Sequence, residues 1–463
     1  MFGVKTDSPA PVVILVDNRT RDLDVAALVA YHLRQRGVPC QLEPLEAFRA
    51  VLAAYRPGMI VFNHLFASHL VDWSKRLRDI GVLTGLLTNE GMMRSQEARL
   101  FQSGRHHREG HVDLFFCWNE AHRQAIEEEG VYKDARVETI GVPRFDFYFE
   151  PWASIVRRHD PEPRIRPRIL FCTNTGLAKF NDLPREHGDR HFAAWAGYQK
   201  NYGDPWARVE AQGNARKKFV EYAAALAASG KYEIVFRPHP AESEDFYRSW
   251  LTTLPAEHRT NVRIDGRSNI TSLILDCDLQ ISEEGCTTGV ESWIAGKPTI
   301  GLTMYHNSPL NFEERAQCHI RCENPALLSA LVDAQLAKPE QAEFRQLRRQ
   351  HLVKWCGSPD GRSCERIASA IAEMLRARRV SDWTMINAND YRRAAKLFGY
   401  KRLGLPYHFD PLLSLKRLLF GNRYAVKQYA YEKSIKPRDV VAVHERFDRA
   451  LAATERDAKG GRT

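Results

Sequence analysis

Apolar residues recur along this chain in two rhythms: unbroken runs of strand length, and longer stretches with apolar positions three to four residues apart. VVILVD, after Pro11, is a run of the first kind; LDVAALVAYHLRQRG follows with helical spacing and ends at Gly37. The exchange continues through strand CQLEPL, helix EAFRAVLAAY, strand MIVFNHL, helix SHLVDWSKRLRDIG, strands VLTGLLTNEG and VDLFFCW and helix EAHRQAIEEEG; ARVETIGVPRFDFYF closes that half. Strands apolar on both faces and separated by helices predict a parallel, doubly wound sheet. After EPWASIVRRHDPEPRIRPR, a stretch of prolines and charges that reads as a linker, the alternation restarts. It runs through strand RILFCTNT, helix ARKKFVEYAAALAASG, strand YEIVFRPHP, helix SEDFYRSWLTTL, strand NVRID, the apolar ITSLILDC, strand DLQISEE, helix TTGVESWIAG and strand PTIGL, with helices over 325–356 and 363–379.

The pattern predicts an α/β protein with an N-terminal Rossmann-like domain over 1–155, a second over 165–378 and a basic helical tail over 379–463. Two such domains in tandem are expected to face a cleft, with ligands at the carboxyl ends of the strands. Residues 178–215 are long, polar and aromatic for a connection, and read as a lid carrying Trp195, Tyr198, Tyr202 and Trp206.

Composition narrows the class. Apolar residues at 44% and aromatics at 10% are enough for real cores and exclude general disorder. No apolar run approaches the ~18 residues of a membrane span. MFGVKTDSPAPVVILVD, with one lysine and a proline-rich patch, does not read as a signal peptide, so a cytoplasmic protein is expected. Most of the nine cysteines stand in apolar runs as small core residues. Cys318 and Cys322 flank His319, but no second pair stands at ligand spacing, so no metal and no cofactor are expected. The net charge of +10 is local: residues 392–438 hold twelve Lys/Arg against Asp410 and Glu432. A block of this kind implies an anionic surface as partner and not general nucleic-acid binding.

Three strand ends carry candidate chemistry. Thr88-Asn89-Glu90-Gly91 sets a carboxylate beside a glycine turn, where it can take a proton. Arg237-Pro238-His239-Pro240 holds a histidine between two residues of fixed φ, which points to a positioned ring. Ser282-Glu283-Glu284-Gly285-Cys286-Thr287-Thr288 opens a helix with small and hydroxyl residues, as an anion site does. Neither a Walker loop nor a GxGxxG after the first strand is present.

The order of these motifs resembles the nucleotide-binding half of GT-B glycosyltransferases, and most of all the bacterial sialyl-, polysialyl- and Kdo-transferases that use CMP-activated ulosonic acids. VDNRTRDLD, FNH, DLFFCW, GVPRFDFY, FRPHP and SPDGRSCERIA resemble bacterial proteins called surface carbohydrate biosynthesis proteins, over roughly residues 11–375. The resemblance implies Glu90 as general base on an acceptor hydroxyl and His239 at the CMP phosphate, helping the leaving group. It implies Thr287 and Thr288, with Ser282, Gly285, Asn174 and Thr175, around the phosphate, and Arg237 and Glu291 at the nucleotide. Arg19, Asn63 and His64 fall on the acceptor side. The implied partners are a CMP-activated sugar and a glycan or lipid-linked acceptor.

Two departures bear on mechanism. The acidic motif has one carboxylate, Glu90. Phe171-Cys172-Thr173-Asn174-Thr175 stands where retaining Kdo transferases carry their nucleophilic Asp, and a double displacement needs such a group. Direct, inverting transfer is therefore expected, with recruitment of Asp182 or Glu90 as the alternative. Other readings of the same residues are a CDP-glycerol- or CDP-ribitol-type phosphotransferase, a nucleotide-sugar 2-epimerase, and a non-catalytic GT-B scaffold. The tail, KLFGYKRLGLPYHFDPLLSLKRLLFGNRYAVKQYAYEK, mixes Leu, Phe and Tyr with Lys and Arg, as helices lying on a membrane surface do. It predicts a peripheral position at an anionic inner-membrane face, and a tail dispensable for nucleotide binding.

Overall fold

The computed structural model describes residues 10–65, 67–89, 109–157, 164–193, 203–304, 313–338, 342–357, 359–378, 380–420 and 433–460. The chain divides into two compact units, one of residues 1–146 with 354–463 and the other of residues 147–353. Each holds one six-stranded, all-parallel sheet, so the α/β class with two doubly wound, Rossmann-like halves is observed.

In the first unit β1 (Val12–Val16), every residue of it buried, pairs with β2 (Cys40–Pro44) on one side and β3 (Met59–Phe62) on the other. Beyond β3 lie β4 (Leu83–Leu87), β5 (Leu114–Cys117) and β6 (Arg136–Thr139). Helix α1 (Arg19–Gln35) starts at Asn18, whose side chain accepts from the N–H groups of Thr20 and Arg21. In the second unit the order is β12-β11-β10-β7-β8-β9, with β7 (Arg168–Cys172), β8 (Glu233–Arg237), β9 (Val262–Ile264), β10 (Leu279–Glu283), β11 (Thr299–Leu302) and β12 (Ile320–Cys322). Each sheet reverses its winding once, between β1 and β3 and between β7 and β10, and ligands of such sheets bind at that point.

Several expectations need correction. The expected boundary at 378 falls too late: the helix Ser363–Ala377 belongs to the first unit, where Asp146 accepts from the N–H groups of Ser363 and Cys364 at 3.0 and 2.7 Å. The expected linker begins the second unit, since Trp152–Val156 is a short helix with Trp152, Ala153, Ile155 and Val156 buried. Much of the expected lid is regular structure. Asp204 caps a helix that runs from Pro205 to Ala228, and Phe180, Phe192 and Val209 form a small core against which Trp206 packs. Trp195, Tyr198 and Tyr202 lie outside the described residues. Cys318-His319-Ile320-Arg321-Cys322 contains edge strand β12, with both cysteines and the histidine buried. Among the described residues no group of three or more metal-ligating side chains converges.

The tail is not one free basic face. The helix Ala388–Arg402 covers helix α2 (Ala50–Tyr55), placing Leu397 and, beyond it, Tyr407 in the first unit's core. Lys401 pairs with the buried Glu43 at 2.5 Å, Lys433 with Asp17 at 2.6 Å, and Arg446 with Asp24. Among the described residues no helix is long and apolar enough to cross a membrane.

Candidate functional site

Both units place polar side chains at the winding reversal of their sheet, and each is built from its own strand ends. In the first unit, a pocket of about 410 Å³ including its open mouth lies beyond β1, β3, β4 and β5. Ile14, Val25, Ala26 and Leu87 form its apolar wall; Asp22, Asn63, Asn89, Trp118 and Arg144 supply the polar and aromatic lining. Asn63 accepts from the Asp17 N–H at 3.1 Å and donates to Asn89 Oδ1 at 3.2 Å. Asn89 in turn donates to Asp22 Oδ2 at 3.3 Å. Asp22, 6% exposed, also accepts from Arg21 Nε at 2.7 Å and from the Asn18 N–H at 3.0 Å. Burial pushes its carboxyl up from the usual range, with Arg21 pulling against that. Trp118 donates to the Thr88 carbonyl at 3.1 Å, and the Arg144 guanidinium lies 4.9 Å from the centre of its ring. An apolar and aromatic wall faced by a few fixed amides and one carboxylate suits a polyhydroxylated ligand.

Of the acceptor-side candidates, Asn63 lines this pocket. Arg19 does not: it pairs at 3.5 Å with Asp439 of the C-terminal helix. His64 is half-buried outside the pocket lining. Glu90 lies outside the described residues.

In the second unit the candidate residues stand along the row of strand ends β10, β7, β8. His239 is exposed, so it is no core residue. Its N–H donates to Thr173 Oγ1 at 3.0 Å, and its Nδ1 accepts from the Ala241 N–H at 3.1 Å. With Nδ1 accepting, the neutral ring carries its proton on Nε2, which makes that nitrogen a donor. Thr173 is held by Glu242, which also accepts from the Thr175 N–H at 2.8 Å and from the Tyr247 phenol. Thr175 is thus a buried part of the scaffold under His239. Gly176 passes so close that an added Cβ would lie 3.3 Å from the His239 ring.

Across the reversal, Glu283 ends β10 with 3% exposure. It accepts from the Gly285 N–H at 2.7 Å and from the Asn174 side chain of the neighbouring strand end. Burial raises its carboxyl to about 7. Any side chain at Gly285 would press on that carboxylate, its Cβ only 2.9 Å from Oε1. The next residue, Glu284, instead serves the fold through Arg321, bound by both carboxylate oxygens at 2.9 and 3.0 Å. The helix Thr287–Ile294 follows, and its N-cap residue Cys286 makes no side-chain capping bond; helix starts of this kind can receive an anion.

The remaining nucleotide-side candidates separate. Thr287 is half-buried at the helix start. Thr288 is tied inward, accepting from Gln280 Nε2 at 3.1 Å. Ser282 is fully buried between Cys172 of β7 and Gly301 of β11, one residue short of the strand end, and is not at the surface. Arg237 is buried; its Nη1 donates to the Pro238 and Gly266 carbonyls at 3.0 and 2.7 Å, while its Nε has no hydrogen-bond partner among the described residues. Glu291, one turn into the helix, is buried and accepts from the Tyr148 phenol at 2.7 Å. Asp22, Trp118, Arg144, Glu242 and Glu283 are not among the residues expected from the sequence, although all but Glu242 stand inside motifs quoted there.

Glu283 gives a pH test. Its folded form holds a proton more tightly than the ordinary value of 4.5 allows, so stability falls as pH rises from about 4.5 to about 7 and then levels. The loss amounts to roughly 3 kcal/mol. Glu283→Gln should melt with a flatter pH profile than wild type and above it beyond pH 7; parallel profiles would place the proton elsewhere.

No protein-family model and no curated protein matches the sequence. Solved structures with a similar chain path include MnaA of S. aureus with UDP, at 12% identity over 79% of this chain and 97% of that one, TM-score 0.47. The wall teichoic acid polymerase TagF is similar at 11% identity over 80% and 90%, TM-score 0.47. HepE of Anabaena with UDP and glucose is similar at 11% over 79% and 100%, TM-score 0.41.

Proposed function

We propose that this chain is a glycosyltransferase of bacterial surface-polysaccharide or glycoconjugate assembly. It transfers a ulosonic acid, Kdo or a sialic-acid-like sugar, from a CMP-activated donor to a glycan or lipid-linked acceptor. The observation that carries the reading is the exposed ring of His239, its proton on Nε2, in the row of strand ends that also holds the uncapped helix start at Thr287. Departure of CMP puts charge on a phosphate oxygen. A fixed donor and a helix N-terminus stabilise charge that develops there.

In the proposed step the acceptor hydroxyl oxygen bonds to the anomeric carbon as the bond from that carbon to the phosphate oxygen breaks. The hydroxyl proton passes to Glu90, and CMP leaves with the bonding pair. The acceptor sugar occupies the Asp22–Asn63–Trp118 pocket. Attack from the side opposite the leaving group inverts the centre. A CDP-activated phosphotransfer is the second reading, because the His239 donor suits any cytidylyl phosphate.

Melting the protein with CMP, CDP and UDP separates these readings. CMP should raise the melting temperature by several degrees at saturating concentration. A response to CDP alone favours phosphotransfer, UDP alone favours an epimerase, and no response favours a scaffold. Incubation with CMP-activated ulosonic acids and mass spectrometry of the products then identifies the donor.

A further inference from the structure

Strongly exposed leucines recur in one stretch of the first unit's sequence, residues 403–419. Leu412, Leu415, Leu418 and Leu419 are 53%, 51%, 82% and 64% exposed, and Leu403 is 70% exposed. Leu415, Leu418 and Leu419 stand on the helix Leu413–Phe420 and Leu412 immediately before it. At 100° per residue the four fall within about one-third of the helix circumference, on a single apolar face. Single exposed leucines are ordinary, whereas a one-sided row of them marks a contact surface.

The surrounding charge says what covers it. Within 392–438 the twelve basic residues face two acids. Lys401, Lys416 and Lys433 are paired inside the unit. Arg392, Lys396, Arg402 and Arg438 remain exposed around the leucine-bearing segment in the sequence. Eight residues rise only about 12 Å, far short of a bilayer, so the helix is suited to lie flat. A protein partner with an acidic, apolar groove would need a shape to match. A bilayer with anionic headgroups accepts a flat apolar face carried by a basic segment without one.

We propose that the helix Leu413–Phe420 is a membrane-surface anchor, inserting Leu415, Leu418 and Leu419 among the acyl chains of an anionic leaflet. The anchor rests on the proposed function only for its use, which is to hold the enzyme beside a lipid-linked acceptor; the contact itself needs no nucleotide.

The test is co-sedimentation of the full-length protein with phosphatidylcholine vesicles, with and without about one-third phosphatidylglycerol. Binding should require the anionic lipid and weaken with salt, as charges screened over ~8 Å at physiological ionic strength must. The triple variant Leu415→Ser, Leu418→Ser, Leu419→Ser should lose binding about tenfold or more, with its melting temperature and its CMP-induced shift unchanged. Leu418→Trp should bind at least as well as wild type, with a blue-shifted emission on vesicles. If full-length protein ignores anionic vesicles at low salt, or the triple variant binds like wild type, the anchor is wrong. If the triple variant instead turns a dimer into a monomer in solution, the face belongs to a second copy and the membrane reading falls. Because the CMP shift is read on the same samples, failure of the anchor and failure of the donor reading stay separate.

Discussion

His239→Ala should lower transfer by ~10²–10⁴-fold, the range expected when a positioned proton donor is lost, and should leave the fold in place. The ring is exposed and the flanking prolines fix the backbone, so its removal opens no cavity. The bond the ring receives from the Ala241 N–H passes to water. A melting temperature within about 2 °C of wild type follows. Glu90→Gln provides the contrast: turnover should drop ~10²-fold with CMP binding unchanged, since it is proposed to act on the acceptor. Circular dichroism, melting and a product assay decide the matter. A His239→Ala protein that turns over normally has no catalytic histidine there, and one that unfolds assigns the ring to structure.

The sheets were legible because their strands are buried on both faces. VVILV and RILFC need no cross-chain information to be recognised as central parallel strands, and both are buried end to end. The start of the Pro205–Ala228 helix was missed although Asp204 and Pro205 are a helix-start pair, because the aromatic and polar residues around them read as loop. β12 was missed because three residues in a cysteine–histidine pattern suggest ligands before they suggest a strand.

The exposed, held placement of His239 is legible because two prolines restrict it locally. That of Glu283 is not, because nothing local distinguishes it from Glu284. The difference comes from partners far along the chain: Arg321 takes Glu284, and Asn174 on the adjoining strand meets Glu283. Arg237, a cation at a strand end, is buried there with Nη1 on two backbone carbonyls, a placement its sequence neighbours do not specify. In the tail, Lys401 and Arg402 look alike in sequence, yet one is bound to a buried carboxylate and the other is exposed.

A chain ending after residue 385 should fail to fold its first unit, although the tail is expected to be dispensable for nucleotide binding. The helix Ala388–Arg402 supplies Leu397, 1% exposed, to the core, and Tyr407 beyond it is 7% exposed. Removing large core side chains costs about 2–5 kcal/mol each. The cut also removes Lys401 from Glu43, a carboxylate 2% exposed, and frees Arg76 from the buried Asp390. Leaving a buried charge without its partner costs about 3–5 kcal/mol. These losses together match the whole stability of an ordinary domain, about 5–15 kcal/mol. The second unit, residues 147–353, keeps its own core and every strand end proposed to hold the nucleotide. Limited proteolysis of the truncated protein should therefore digest the first unit and spare a fragment close to 147–353. Lys401→Ala tests the same brace without deletion. It should destabilise by about 2–4 kcal/mol, the lysine being partly exposed, while Arg402→Ala should change nothing measurable. A truncated chain that melts as the full-length protein does, or equal melting of the two point variants, would make the tail an appendage and not a part of the first unit's core.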